Sequence, residues 1–168
     1  VFGLNQGALP VMGYNYGARD RGRLMGAYRI TLGSALVILA IGVVIFQVFP
    51  AQMIGMFTPA DDPAATADML KIGIPALRII SLSFIGAGFG IINSTVFQAV
   101  GHGLASLVVS FCRQLCIILP AAAVLGHFFG LQATWYSIPI AEYISLVVSY
   151  VVLVRIYQRE IKHLEPRA

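Results

Sequence analysis

Long apolar segments alternate with short polar ones along the whole chain. The apolar runs, which hold few charged residues, lie at about 1–16, 30–49, 72–100, 104–125 and 133–154. A helix crosses the ~30 Å hydrocarbon core of a bilayer with about 20 apolar residues, since each residue adds about 1.5 Å. The pattern therefore predicts an all-α membrane protein, 1–168, with five transmembrane helices, the first of them truncated.

Basic residues cluster in two of the polar segments. The loop predicted from Ala18 to Arg29 carries four arginines against one acid, and the tail 155–168 carries Arg155, Arg159, Lys162 and Arg167. The positive-inside rule predicts that both segments are cytoplasmic, in a multi-pass protein of the plasma membrane. Since five spans then leave Val1 on the outer side, we expect the chain to be the C-terminal part of a longer polypeptide.

The remaining polar segments predict the connections between spans. Asp61, Asp62 and Pro63 have the order of an N-cap acid and a first-turn proline, which predicts a short amphipathic helix on the outer side. A tight turn is expected at Gly101–Gly103 and a short loop at Gly126–Gly130.

Two helix faces carry small or polar residues at helical spacing. Ser83, Gly86, Gly90 and Asn93 form one stripe, which suits close packing against another helix. On the next predicted span, Ser106, Ser110 and Arg113 share a face at i, i+4 and i+7.

The composition supports a membrane protein and argues against an enzyme. Hydrophobic residues make up 58% of the chain and charged residues 11%, and the mean hydropathy is +0.84; soluble domains carry about 25% charged residues. The net charge of +4 reports orientation in the membrane rather than a nucleic-acid partner. Cys112 and Cys116 lack further metal ligands nearby and are interpreted as small buried residues, and the sequence shows no catalytic, metal or cofactor motif.

Three charged residues fall inside the predicted spans. Arg78, Arg113 and Glu142 each cost on the order of 2.5 to 3.5 kcal/mol at membrane depth, so they should face a cavity or one another. The rise per residue of a helix places all three at a similar depth in the membrane, and we expect Glu142 to pair with Arg113 or Arg78. Such a pair either locks the bundle or takes part in coupling or substrate binding.

Amides also lie at membrane depth in the first span. Asn5, Gln6 and Asn15 are expected either to make hydrogen bonds between helices or to contact the substrate directly. His102, His127 and His163 fall in predicted turns or in the tail, where exposure to solvent is expected.

Several segments, in the right order, resemble the multidrug and toxic compound extrusion (MATE) family. They are GLNQGALPVMGYNYGARDRGR (Gly3 to Arg23), MIGMFTPADDPAATADMLKIGIPALRI (Met53 to Ile79), STVFQAVGHG (Ser94 to Gly103), the pair Arg113 and Pro120, and PIAEY (Pro139 to Tyr143). The resemblance covers almost the whole chain and implies a fold of twelve helices in two six-helix lobes. This chain would supply helices eight to twelve of the second lobe, and the first lobe would be its partner.

The resemblance also implies a function. Members of the family export organic cations and other amphipathic drugs in exchange for sodium ions or protons, by alternating access of a central cavity. Candidate substrate or coupling residues on this chain are Gln6, Asn15, Arg78, Asn93, Gln98, Arg113 and Glu142. Sodium-coupled relatives carry an acid in the tenth helix, whereas the sequence from 72 to 100 has none.

Two rival functions fit the same hydropathy. A lipid-linked oligosaccharide flippase of the same superfamily would use buried arginines for lipid phosphates, and a structural subunit would transport nothing. The GYNYGA segment favours the MATE family. An integral membrane enzyme would need clustered histidine or acidic residues, which the sequence lacks.

Overall fold

The computed structural model describes residues 1–57 and 63–164, except for the side chains of residues 63–65. It is all-helical, with 88% helix and no strand in the described part. In chain order the helices are α1 (Phe2–Gly17), α2 (Arg21–Val48), α3 (Pro50–Gly55), α4 (Pro63–Ser81), α5 (Phe84–Ala99), α6 (Gly103–Phe111), the π-helical segment π1 (Cys112–Ile118), α7 (Leu119–Phe129), α8 (Leu131–Thr134), α9 (Ser137–Ile156) and the π-helical segment π2 (Tyr157–Ile161). The all-α membrane fold is confirmed.

Three continuous helical stretches of the described chain are long and apolar enough to cross a membrane: Arg21–Val48, Gly103–Phe129 and Leu131–Ile161. Thr66–Ser81 and Phe84–Ala99 pass the same test together, across a bend of 48°. They form a fourth span if the bent pair crosses as one. At 16 residues, α1 is shorter than the ~20 that a full crossing needs, so the count of five spans stays a prediction.

The predicted loop from Ala18 to Arg29 is wrong for most of its length, because α2 already begins at Arg21. Asp20 caps the helix: one carboxylate oxygen accepts a 2.9 Å hydrogen bond from the Arg23 backbone N–H. The other lies 3.3 Å from the Arg23 guanidinium. A capped amide and a favourable charge at the helix start stabilise the first turn.

The third predicted span, 72–100, is broken rather than continuous. Leu82 and Ser83 separate α4 from α5, and their amides bond three residues back, to Ile79 and Ile80. The hydroxyls of Ser81 and Ser83 donate to the carbonyls of Arg78 and Ile80, at 2.8 and 2.6 Å. These side-chain hydrogen bonds compete with the helical ladder, which explains the break.

The connection after α3 differs from the prediction in extent. A helix does begin at Pro63, but it continues to Ser81 instead of ending as a short separate element. The proposed cap by Asp61 and Asp62 lies outside the described residues, as does Arg167 of the tail. The turn at Gly101–Gly103 is confirmed, whereas the loop predicted at Gly126–Gly130 is mostly helical, because α7 continues to Phe129.

Helix α5 is the centre of the bundle, since it contacts α1, α2, α6 and α9. The buried core lies between the middle of α1, the start of α2, the ends of α5 and α9, α6 and π2. Its fully buried large side chains are Met12, Leu24, Phe97 and Ile161. Apolar side chains on the outer face of α2, among them Ile30, Val37 and Val44, are exposed, as lipid contact requires.

Candidate functional site

The charged pair predicted within the spans is present. The Arg113 guanidinium donates a 2.7 Å hydrogen bond to Oε1 of Glu142. Arg113 lies in π1 and Glu142 in α9, so the pair ties two neighbouring elements together. The side chain of Glu142 is 10% exposed and that of Arg113 is 25% exposed. Because the pair is monodentate, most donors of the guanidinium remain available for another acceptor.

Arg78 does not take part in this pair. Its side chain is exposed and makes no ion pair within the described residues. It belongs to α4, whose axis is bent by 48° from the axis of α5. A layer estimated for one straight helix therefore does not hold across the break.

Glycine lets α9 approach α5 closely at the pair. A Cβ placed on Gly86 would lie 3.4 Å from Cβ of Glu142 and 3.5 Å from its backbone carbonyl. The predicted small-residue stripe thus packs against α9 at Gly86, whereas Gly90 lines a cavity instead. Oε2 of Glu142 is buried and has no hydrogen-bond partner in the described chain.

A polar cavity of about 130 Å³ lies beside the pair. Its polar lining comes from Ser94 and Gln98 of α5, Ser106 and Ser110 of α6, and Arg113. Asn5 of α1 and Ser145 of α9 complete it. The predicted face of Ser106, Ser110 and Arg113 is therefore a cavity wall, which continues from α6 into π1.

Local hydrogen bonds set the shape of this cavity. The Gln98 amide nitrogen donates to the Ser106 hydroxyl at 3.0 Å across the α5–α6 turn. The Thr95 hydroxyl faces two acceptors, the side-chain oxygen of Asn5 and the Ile91 carbonyl at 2.9 Å, so its one proton is shared between them. The interhelical role expected for Asn5 is confirmed, and it joins α1 to α5.

Asn93 of α5 forms a second set of polar contacts, away from the cavity lining. It is 1% exposed; its side-chain oxygen accepts from the Tyr28 hydroxyl at 3.0 Å, and its amide donates to the Ser149 hydroxyl at 3.2 Å. The side chain thus joins α5 to α2 and α9. These contacts give Asn93 a structural role in the described chain.

Two predicted residues of the first span lie apart from the cavity. Asn15 donates to the Val11 carbonyl of its own helix at 2.8 Å, so the interhelical bond expected for it is wrong. Val11 lies one turn earlier in α1, so the bond stays within this helix. Gln6 is exposed on α1 and makes no hydrogen bond through its side chain within the described residues. The structure brings together Gln98, Arg113 and Glu142, with Asn93 nearby.

Sequence reasoning missed a cluster at the other end of the bundle. Glu160 of π2 accepts from the Tyr16 hydroxyl at 3.0 Å, and its other oxygen lies 2.5 Å from Nε2 of His102. Arg21 donates to the Tyr157 hydroxyl at 2.5 Å and lies over its ring. His102 was expected to be merely solvated. The partners are 58 and 144 positions from Glu160, so no local spacing indicates them.

The geometry describes a bundle of apolar helices with a paired charge and a polar cavity inside it, the general form of a membrane transport protein. A model of the MatE family matches residues 1–124. The chain belongs to this family of MATE multidrug efflux transporters, whose members are integral membrane proteins.

Individual relatives agree with this assignment. The chain is 26% identical over 153 residues to the multidrug export protein MepA of Staphylococcus saprophyticus, across 91% of this chain and 32% of the relative. The inward-facing structure of a multidrug resistance MATE family transporter of the MOP superfamily superposes with a TM-score of 0.82 at 25% identity, over 94% of this chain and 36% of the other. An outward-facing structure of such a transporter gives 0.82 at 26%, over 94% and 34%. The chain thus spans about a third of the relatives it matches.

Proposed function

We propose that the complete transporter containing this chain exports organic cations or other amphipathic drugs by antiport with sodium ions or protons. Family membership and the similarity to MepA support drug export. The structural observation that carries the proposal is the polar cavity with Arg113 in its wall, within helices whose outer faces are apolar. Charged and polar groups retained at membrane depth mark solute and ion pathways.

Alternating access supplies the mechanism. A ligand shifts a conformational equilibrium only by its different affinity for the two states, so the ion must favour one orientation and the drug the other. Similarity to both an inward-facing and an outward-facing MATE structure supports two such states for this fold. The break between α4 and α5 is a joint of the kind that transporters use near their sites.

The partners and placement follow from the same proposal. The first lobe of the transporter faces the cavity side of this chain, and lipid surrounds the rest. Arginines at the start of α2 and the basic tail favour a plasma-membrane orientation with the C-terminus in the cytoplasm. The coupling ion is sodium or a proton, and no metal or organic cofactor is needed, because export involves no covalent chemistry.

Ethidium efflux from proteoliposomes tests this function directly. The complete protein is reconstituted, loaded with ethidium, and exposed first to an imposed sodium gradient and then to an imposed proton gradient. Efflux driven by either gradient is the expected result and identifies the ion. If neither gradient moves the dye but lipid-linked oligosaccharide is translocated, the protein is a flippase and not a drug exporter. If neither solute moves, the protein is a structural subunit.

A further inference from the structure

The polar cavity presents hydrogen-bond donors to its interior. Arg113 carries five N–H groups and uses one of them on Glu142. In the described chain no other acceptor bonds the guanidinium, and the hydroxyls of Ser94, Ser110 and Ser145 are likewise not engaged with protein groups. These donors come from α5, from the continuous stretch of α6 and π1, and from α9, so three helical stretches converge on one volume.

No acidic residue is found among the described residues that line this volume. Glu142 binds the guanidinium but does not line the cavity, and its second carboxylate oxygen is buried. A solute that enters therefore meets a cation and neutral hydroxyls. Guanidinium groups with free donors recognise planar and tetrahedral oxyanions through paired, charge-assisted hydrogen bonds.

The size of the cavity limits the bound group. Its volume of about 130 Å³ is several times the ~30 Å³ share of one liquid water. It is well below the roughly 300 Å³ at which pockets for whole drug-sized ligands begin. A carboxylate or phosphate with a few attached atoms fits, whereas the body of an amphipathic molecule has to lie outside.

We propose that this cavity binds the oxyanion group of an amphipathic solute, with Arg113 as the charge partner and Ser94 and Ser110 as hydroxyl donors. The inference rests on the proposed export function and deepens it, because it adds a carboxylate or phosphate to the chemistry of the substrate. Glu142 is then a positioning residue that keeps the guanidinium at the cavity wall. The negative charge of Glu142 also lowers the affinity of the cavity for the anion, which favours release during transport.

A matched pair of dyes tests the proposal. Rhodamine 110 carries a free carboxyl group, and rhodamine 123 is its methyl ester with the same cationic ring system. Binding of each dye to the purified complete protein is measured by fluorescence anisotropy. The double variant Arg113→Gln/Glu142→Gln removes both charges at once, so it avoids leaving one buried charge unpaired. We expect its Kd for rhodamine 110 to rise at least tenfold and its Kd for rhodamine 123 to change less than twofold.

Serine variants provide the matched control. Ser110→Ala removes one cavity hydroxyl and should raise the Kd for rhodamine 110 two- to fivefold. Ser34→Ala on α2, outside the cavity lining, should leave both dyes unchanged. Equal losses for the two dyes in the double variant, or no loss for rhodamine 110, would overturn the proposal.

Competition identifies the source of the oxyanion. Displacement of rhodamine 110 by benzoate indicates a carboxylate carried by the solute, and displacement by dihexanoyl phosphatidate indicates a lipid phosphate; displacement by neither contradicts an oxyanion site. Binding is separate from export. A protein that binds rhodamine 110 through Arg113 but moves no dye under either gradient keeps the oxyanion site and loses the export function.

Discussion

Tyr28 and Asn93 meet across the interface of α2 and α5, where the phenol donates a 3.0 Å hydrogen bond to the buried side-chain oxygen. The side-chain amide of Asn93 also donates a 3.2 Å hydrogen bond to the Ser149 hydroxyl of α9. One amide thus joins three helices. Since Asn93 is almost fully buried, loss of either partner leaves a polar atom without a hydrogen bond.

Tyr28→Phe should therefore destabilise the protein. Removing the hydroxyl leaves the Asn93 acceptor unsatisfied, which costs about 1–3 kcal/mol in the free energy of unfolding. The change is checked by reversible unfolding in mixed micelles. Tyr14→Phe is the matched control, because Tyr14 is 76% exposed and should tolerate loss of its hydroxyl. Equal stability of the two variants would remove the assigned role of the Tyr28–Asn93 bond.

The pair of Arg113 and Glu142 should behave as a structural lock in a double-mutant cycle. Glu142→Gln and Arg113→Gln each leave one charge without its partner, at a cost of about 1–3 kcal/mol, below the value for a fully buried pair because Arg113 is partly exposed. The double variant should recover at least half of the summed loss. Purely additive losses in unfolding free energy would show that the two residues are not coupled.

Ethidium transport by the Glu142→Gln variant separates the lock from a coupling role. Ethidium carries no oxyanion, so a positioning residue should leave its efflux per folded molecule within about twofold of the wild type. Retained efflux with lowered stability is the expected combination. Efflux lost at full stability would make Glu142 a coupling residue instead.

Glu160 should hold the tail against the bundle. Glu160→Ala removes the carboxylate that bonds Tyr16 and His102. The backbone amides of 157–164 should then exchange hydrogen faster, by about tenfold if these two contacts contribute ~1.4 kcal/mol. Hydrogen-exchange mass spectrometry measures this change. Gln158→Ala, at an exposed neighbouring position, is the control. Unchanged exchange in the Glu160 variant would mean that packing of Ile161 alone keeps the tail in place.

Two glycine substitutions should have opposite effects. Gly130 joins α7 to α8 at a φ of +82°, a region that L-residues avoid, so Gly130→Ala should cost about 1–2 kcal/mol. Gly33 lies within α2 with nothing near its would-be Cβ, so Gly33→Ala should stabilise by about 0.5–1 kcal/mol. Thermal unfolding of both variants checks the signs. A neutral Gly130→Ala would show that the turn adopts another conformation.

Local spacing predicted those features that one helix can encode. The stripe of Ser83, Gly86, Gly90 and Asn93 indicated a packing face, and Ser106, Ser110 and Arg113 indicated a polar one. The cost of a charge in lipid predicted a partner for Glu142. Ser94 and Gln98 follow Gly90 at steps of four residues. This spacing indicates that all three share one face of α5, and it would have placed Ser94 and Gln98 on the cavity wall.

Features that depend on tertiary contacts or on small energy differences were not predictable. The break after Ser81 results from serine hydroxyls that compete with backbone amides for carbonyls, and Gln47 of α2 adds a bond to the Arg78 carbonyl. The π-helical register of Cys112–Ile118 has no spacing signature in the sequence. The contact of His102 with Glu160 joins segments that meet only after the helices have packed.

The length of α2 connects bilayer thickness with the bend of the neighbouring span. Its uncharged stretch, 30–48, is about 29 Å long at 1.5 Å per residue, close to the hydrocarbon depth of an average membrane. Gln47, near the C-terminal end of α2, donates a 3.0 Å hydrogen bond to Ser81 at the break between α4 and α5. In a thinner bilayer α2 relieves mismatch by tilting. Because Gln47 is bonded to Ser81, we expect such a tilt to change the geometry of the break, and we therefore expect the bend between α4 and α5 to depend on the lipid composition of the membrane.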